Sequence, residues 1–207
     1  MPRNSRNHHR MSTDLLLAFV AFAFVTSISP GPNNLMLMAS GANFGFRRSI
    51  PHMLGIAIGF TVMVLLVGLG LLRIFEVYPA AHTALKIVSV AYLLWLAWKI
   101  ANAAAPGERG AKGAPMTFLQ AAAFQWVNPK AWAMALTAVS AYAPGQTWQA
   151  FALTAAIFGA VNLPSVSVWT VLGQQIRRLL TSPARLRSFN WTMAALLVAS
   201  LYPVIVP

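Results

Sequence analysis

From Asp14 to Val206 the chain is a succession of apolar runs of 18 to 29 residues separated by short polar segments. A helix rises 1.5 Å per residue, so about 20 apolar residues are what it needs to cross the hydrocarbon of a bilayer. Six runs can be marked, at 14–42, 51–72, 80–100, 117–142, 148–176 and 189–206. In lipid each backbone N–H and C=O must find its partner within the protein, which for runs of this length means helices. Only 9% of the residues are charged, against about 25% in soluble domains. The expectation is an all-α membrane protein with six transmembrane helices, forming one transmembrane domain over residues 1–207.

The formal charge of +12 would point to nucleic acid in a soluble protein. Here the basic residues fall between apolar runs, where they set orientation, so lipid is the expected partner and nucleic acid is not. One set of connections and run ends holds Arg47, Arg48, Lys99, Arg109, Lys112, Arg177, Arg178, Arg185 and Arg187. The other holds Arg73 and the N-terminal Arg3, Arg6 and Arg10. Lysine and arginine collect on the cytoplasmic side, which predicts both termini outside the cytoplasm. Residues 1–10 are polar and basic, expected to be a disordered or extended N-terminus, and Met11-Ser12-Thr13-Asp14 suits the start of the first helix. No removable signal peptide is expected. The chain contains no cysteine, which excludes disulfides and thiolate metal sites.

Helices 1 and 4 are expected to be broken at proline motifs. In Ser29-Pro30-Gly31-Pro32-Asn33-Asn34 each proline lacks an N–H and crowds the carbonyl four residues earlier, freeing Thr26 and Ile28. Freed carbonyls at membrane depth need protein or a watery cavity around them. Pro32 suits the first turn of a restarted half-helix, whose N-terminus favours an anion such as an amino-acid carboxylate. A simple kink capped by serine is the alternative. Asn128-Pro129-Lys130 repeats the design: Asn128 can cap, Pro129 can start a helix, and Lys130 puts a charge inside an apolar run. Such a lysine faces a cavity or snorkels to a headgroup. Asn162, two residues before Pro164, forms a third polar break, which either meets a substrate ammonium or satisfies freed backbone.

Other features carry less. His52 is expected at the membrane interface, with a proton relay as the lesser alternative. Asp14, Glu76 and Glu108 are the only acids and none lies deep in a run. Trp148, Trp169 and Trp191 are ordinary membrane aromatics. The spacings Gly41 to Gly45 and Gly55 to Gly59 let helices approach closely, within the monomer first and across a homodimer seam second. Three runs lie on each side of an Ala/Gly/Pro-rich connection, giving a first repeat at 14–101, the connecting loop at 102–116 and a second repeat at 117–206. Placing Pro30 over Pro129 sets Ser29 over Asn128, and an odd number of helices per repeat inverts one half relative to the other.

Together, Ser29-Pro30-Gly31-Pro32-Asn33-Asn34, the stretch from Gly41 to Arg48, Ala91-Tyr92-Leu93-Leu94-Trp95-Leu96 and Val127-Asn128-Pro129-Lys130 resemble the LysE/RhtB family of amino-acid exporters, and the similarity spans the chain from Met11. The resemblance implies a secondary transporter of the bacterial inner membrane that exports small amino acids or their derivatives, driven by proton motive force, with protons as coupling ion and no cofactor. The Pro-Gly-Pro-Asn-Asn form resembles members exporting cysteine and O-acetylserine, and next those exporting threonine and homoserine. Many members carry an aspartate where this chain has Asn162, which places proton coupling through that position in question. The substrate-binding residues expected are Ser29 to Asn34, Asn128, Pro129, Lys130 and Asn162.

An enzyme is not expected, because the runs hold no buried acid pair, no His-Glu-x-x-His and no Gly-x-Ser-x-Gly, and hence no catalytic residues. Without cysteine or clustered histidine no metal site is expected either. The alternatives are an exporter of another small solute, or a non-transporting structural or assembly membrane protein.

Overall fold

A computed structural model describes residues 11–71, 77–103 and 113–202, and its regular structure among these residues is helical throughout. The helix α1 (Thr13–Ile28) starts where Ser12 Oγ accepts from Leu15 N at 3.2 Å. It ends at Ser29, which is extended, as the residue before a proline tends to be. After the break, α2 (Pro32–Phe44) sets off with Pro32 in its first turn, bent by 54° from α1. Gly45 then turns the chain with φ 80°, a value that favours glycine, into α3 (Phe46–Leu66). A π-type turn extends this helix from Val67 to Leu71.

The second part of the chain opens with α4 (Pro79–Ala101) and continues with the short α5 (Phe118–Phe124). Thr117 and Gln120 form a capping box at its start. A 3₁₀ turn at Gln125–Val127 leads to Asn128, which is extended and caps α6 (Pro129–Tyr142). The longest helix, α7 (Trp148–Arg177), capped by Thr147, follows, and then α8 (Pro183–Ala199), capped by Ser182.

The expected breaks at Pro30/Pro32 and at Pro129 are present. The expected break at Asn162 is not, because α7 runs without interruption through Pro164. A single proline without a neighbouring glycine costs a helix one or two bonds. Here Ser165 Oγ and Ser167 Oγ back-bond to the carbonyls of Val161 and Leu163 at 2.8 and 2.7 Å, and α7 is packed on three helices. The second run starts at Phe46 rather than 51, and the last at Pro183 rather than 189. Three helical stretches, Phe46–Leu71, Thr83–Ala101 and Trp148–Arg177, are long and apolar enough to cross a membrane, and the bent pair α1 and α2 makes up to a fourth. Glu76, Glu108, Arg73, Arg109, Lys112 and residues 1–10 lie outside the described residues.

The centre of the bundle is α7, packed on α1, α2 and α3, while α3 also packs on α5, and α4 pairs with α8. Glycines make the tightest of these seams. A Cβ at Gly41 would land on the Thr170 carbonyl, and one at Gly173 on the Met38 carbonyl, so α2 and α7 touch backbone to backbone. Gly55 and Gly59 bring α3 equally close to Phe118 and Ala122 of α5. Gly41, Gly55 and Gly59 are thus filled within one chain, while a Cβ at Gly45 would meet nothing within 4 Å. Toward the N-terminal end of α1 a ring cluster forms. Phe158 meets Phe19 and Phe60 edge to face at 5.6 and 4.8 Å, and Tyr142 lies 5.1 and 5.3 Å from Phe19 and Phe22.

A closed polar cavity between the two helix breaks

The carbonyls released by Pro30 and Pro32 can be followed one by one. Thr26 O accepts from Ser29 Oγ at 3.0 Å, and Ile28 O accepts from the indole Nε1 of Trp169 at 2.9 Å. Ser27 O and Ser29 O both accept from Asn34 Nδ2 at 2.8 Å. The Lys130 ammonium reaches across from the other break and donates to Ser29 O at 2.7 Å, Ser29 Oγ at 2.9 Å and Pro30 O at 3.3 Å. Side chains from α2, α6 and α7 therefore take the place of the helical bonds that the prolines removed.

Lys130 sits in the first turn of α6, where Asn128 Oδ1 accepts from its backbone N at 3.2 Å. Its ammonium lies at the carbonyl end of α1, where the helix dipole favours a cation. Gly31 leaves the path open: a Cβ there would stand 2.7 Å from Lys130 Cδ. Asp14, at the far end of α1, is the only acid among the described residues, and among these residues carbonyl and hydroxyl dipoles offset this partly buried charge. A second link joins the breaks, since Asn33 Nδ2 donates to Gln125 Oε1 at 2.9 Å and Gln125 Nε2 returns a bond to Asn33 Oδ1 at 3.2 Å.

A cavity of about 20 Å³ lies between these parts, lined among others by Ser27, Asn34, Phe60, Asn128, Lys130 and Asn162. That is room for one water, about 10–15 Å³ being enough, and too little for an amino acid. Two buried acceptors at this cavity's wall have no partner: Asn34 Oδ1 and Asn162 Oδ1. Their amide nitrogens are fixed on Ser27 and Ser29, with Asn162 Nδ2 donating to Ser27 Oγ at 3.1 Å. The oxygens are thus left over, in a place where an unpaired polar atom costs about 1–3 kcal/mol.

The expected site residues are thus brought together, with differences in use. Ser29, Gly31, Asn33, Asn34, Asn128, Lys130 and Asn162 surround or brace the cavity, Pro32 and Pro129 start the two half-helices, and Pro30 contributes only its carbonyl and is itself exposed. Lys130 and Asn34, expected among the substrate-binding residues, are both engaged by the broken backbone. What stands free is acceptor oxygen. Ser27, Gln125 and Trp169 belong to the site without having been singled out. Gln125 carries a sequence signal, a lone amide between Phe124 and Trp126 three residues before the second break. No group of histidine, cysteine or acids able to hold a metal occurs among the described residues.

The LysE type translocator family matches residues 24–200 of the chain. The cysteine/O-acetylserine efflux proteins of Escherichia coli strain K12 and Shigella sonnei strain Ss046 are 32% identical to it over 193 residues, covering 91% of this chain and 96% of each relative. No solved structure matches. Similarity that extends from α1 into the last turn of α8 leaves one reading: the chain belongs to the LysE type translocator family and is a membrane transport protein, not an enzyme.

Proposed function

We propose that this protein exports small amino acids or their derivatives, of the cysteine and O-acetylserine kind, from the bacterial cytoplasm across the inner membrane. The observation that carries the reading is Lys130, a cation with no acid beside it among the described residues, set against the two unpaired oxygens of Asn34 and Asn162. An amino acid is a zwitterion that complements both. Its carboxylate takes the Lys130 ammonium in a charge-assisted bond, and its ammonium donates to Asn34 Oδ1 and Asn162 Oδ1. Binding draws Lys130 away from Ser29 and Pro30, and the substrate ammonium or water then satisfies those carbonyls. The cavity must expand to admit the substrate, because the conformation described here has no room for it.

Six spans in two inverted repeats suit this cycle. Exchanging α1, α2, α3 and α4 for α5, α6, α7 and α8 turns the α1–α7 contact into α5–α3 and α2–α7 into α6–α3, while α3–α7 and α4–α8 map onto themselves. That pattern of partners supports the repeat. The face bearing Arg47, Arg48, Lys99, Arg177 and Arg178 is assigned to the cytoplasm. A reporter fused after residue 207 should be active only outside the cytoplasm, and cytoplasmic activity would reverse the orientation. Proton motive force is the assigned driving force, although the site offers no carboxylate among the described residues to carry the proton.

The test is efflux of preloaded O-acetyl-L-serine, L-cysteine and L-threonine from vesicles containing the purified protein, with and without an imposed proton gradient. Flux of none of them overturns the exporter reading, and flux indifferent to the gradient overturns the coupling. Gly31→Ala refines the picture, because the clash it creates is with a flexible side chain. The variant should melt like the parent yet lose about tenfold in efflux as Lys130 is displaced from one charged bond. Unchanged efflux would show that the path of Lys130 past Gly31 is not needed.

A further inference from the structure

Two of the membrane-capable stretches meet at their ends. Phe46–Leu71 begins, and Trp148–Arg177 finishes, at an open cavity of about 860 Å³ lined by Arg47 and Arg48 of α3, by Arg177 and Arg178 at the end of α7, and by Val171 and Gln174 among others. Gln174 Oε1 accepts from Phe46 N at 2.8 Å, which ties the end of one helix to the start of the other and keeps the two arginine pairs together. Because both spans stop here, the cavity lies at the level of the lipid headgroups.

Four cations share this cavity, and no carboxylate among the described residues offsets them. Asp14, the only acid of that set, stands at the start of α1, with all of α1 and α2 between it and the cavity. The first turn of α3 holds no acid and Gly45 supplies no side-chain cap, so the positive end of that helix dipole adds to the arginines. All four arginines are exposed, and the Arg48 guanidinium stacks 5.5 Å from the centre of the Phe44 ring, a contact that uses none of its five N–H donors. Such forks match phosphate, which they bind through paired hydrogen bonds. Away from the arginines the surface turns apolar. Val171 lies two turns of α7, roughly 10 Å, before Arg178, and it is exposed together with Val168 and Leu172, as are Ile50 and Leu54 of α3.

We propose that this cavity binds the phosphate headgroup of an anionic phospholipid, whose acyl chains run along Val171 and its exposed apolar neighbours. A rule of orientation asks only that basic residues lie on one side of the membrane. Here four of them line one cavity beside an apolar strip, an arrangement that charge and hydrocarbon chain together can fill and a soluble anion cannot. The site is independent of the exporter reading. Since it joins the ends of α3 and α7, a bound lipid holds these helices together and its occupancy is readable as thermal stability.

The test is melting of the full-length protein in a neutral detergent with added phosphatidylglycerol, with phosphatidylcholine of the same acyl chains, and with inorganic phosphate. Phosphatidylglycerol should raise the melting point in a saturable manner, and the other two should not. Arg48→Gln combined with Arg178→Gln should raise the half-saturating lipid concentration about tenfold or more, the equivalent of at least one charge-assisted bond. Lys99→Gln combined with Arg187→Gln removes the same charge from exposed positions outside the cavity and should leave that concentration unchanged. Without lipid both double variants should melt like the parent, because every residue replaced is exposed. Arg48→Lys combined with Arg178→Lys keeps the charge but not the fork and should fall between. A parent that phosphatidylglycerol does not stabilise, equal stabilisation by phosphatidylcholine, or equal weakening by the two glutamine pairs overturns the site. Equal stabilisation by inorganic phosphate gives the cavity to a soluble anion, and stabilisation that appears only in Glu108→Gln gives it to the chain's own carboxylate; either result overturns the lipid.

Discussion

Replacing Lys130 with methionine should reduce efflux by about 10- to 150-fold at equal amounts of folded protein, the equivalent of losing one charge-assisted bond of about 1.5–3 kcal/mol. Methionine keeps the length and suits the membrane, but it cannot donate to Ser29 O, Ser29 Oγ or Pro30 O. Two consequences follow from one side chain. The break between α1 and α2 loses its link to α6, and the substrate carboxylate loses its counter-charge. Lys130→Arg separates them. It retains charge, and with it part of the activity if potential alone matters, but its planar fork cannot meet the same three oxygens in the same way. Efflux from vesicles by Lys130→Met at the parent's affinity and rate would remove Lys130 from the site.

A comparable effect on stability is expected at Gly173. Valine there would drive its side chain into the Met38 carbonyl, backbone that cannot swing aside, and would force α7 away from α2. Overpacking of this kind costs about 1–3 kcal/mol, which in a chain of this size corresponds to a melting point lowered by roughly 2–12 °C. Gly173→Ala should fall between. Thermal unfolding of the purified variants decides the matter, and a Gly173→Val protein that melts with the parent would mean that α2 and α7 are not in backbone contact.

The breaks at Pro30, Pro32 and Pro129 were legible in the sequence because a missing N–H is a property of the residue itself, wherever the helix goes. Asn162 was legible as a polar group in an apolar run, yet the break expected beside it is absent. Whether one proline interrupts a helix depends on what packs around it, and α7 is held by three neighbours. The same limit explains Trp169, an ordinary aromatic by sequence whose indole N–H closes the Ile28 carbonyl. His52 was expected at an interface because the second run was taken to begin at Pro51. Since α3 starts at Phe46, the histidine sits well inside the helix and inside the protein. Lys130 and Asn34 were legible as polar residues at the breaks, but their partners depend on how the two halves face each other, which residue types alone do not encode.

The rings of Phe19, Phe22, Phe60, Tyr142 and Phe158 come from α1, α3, α6 and α7 and touch one another on the side of the closed cavity away from the arginines. Because each ring leans on at least one from a different helix, no single one can swing aside without disturbing the rest, and the cluster gives way as a unit. A membrane that stores energy as an ion gradient tolerates an exporter only if the exporter does not leak between turnovers, and on the function proposed above these five rings would be the insulation.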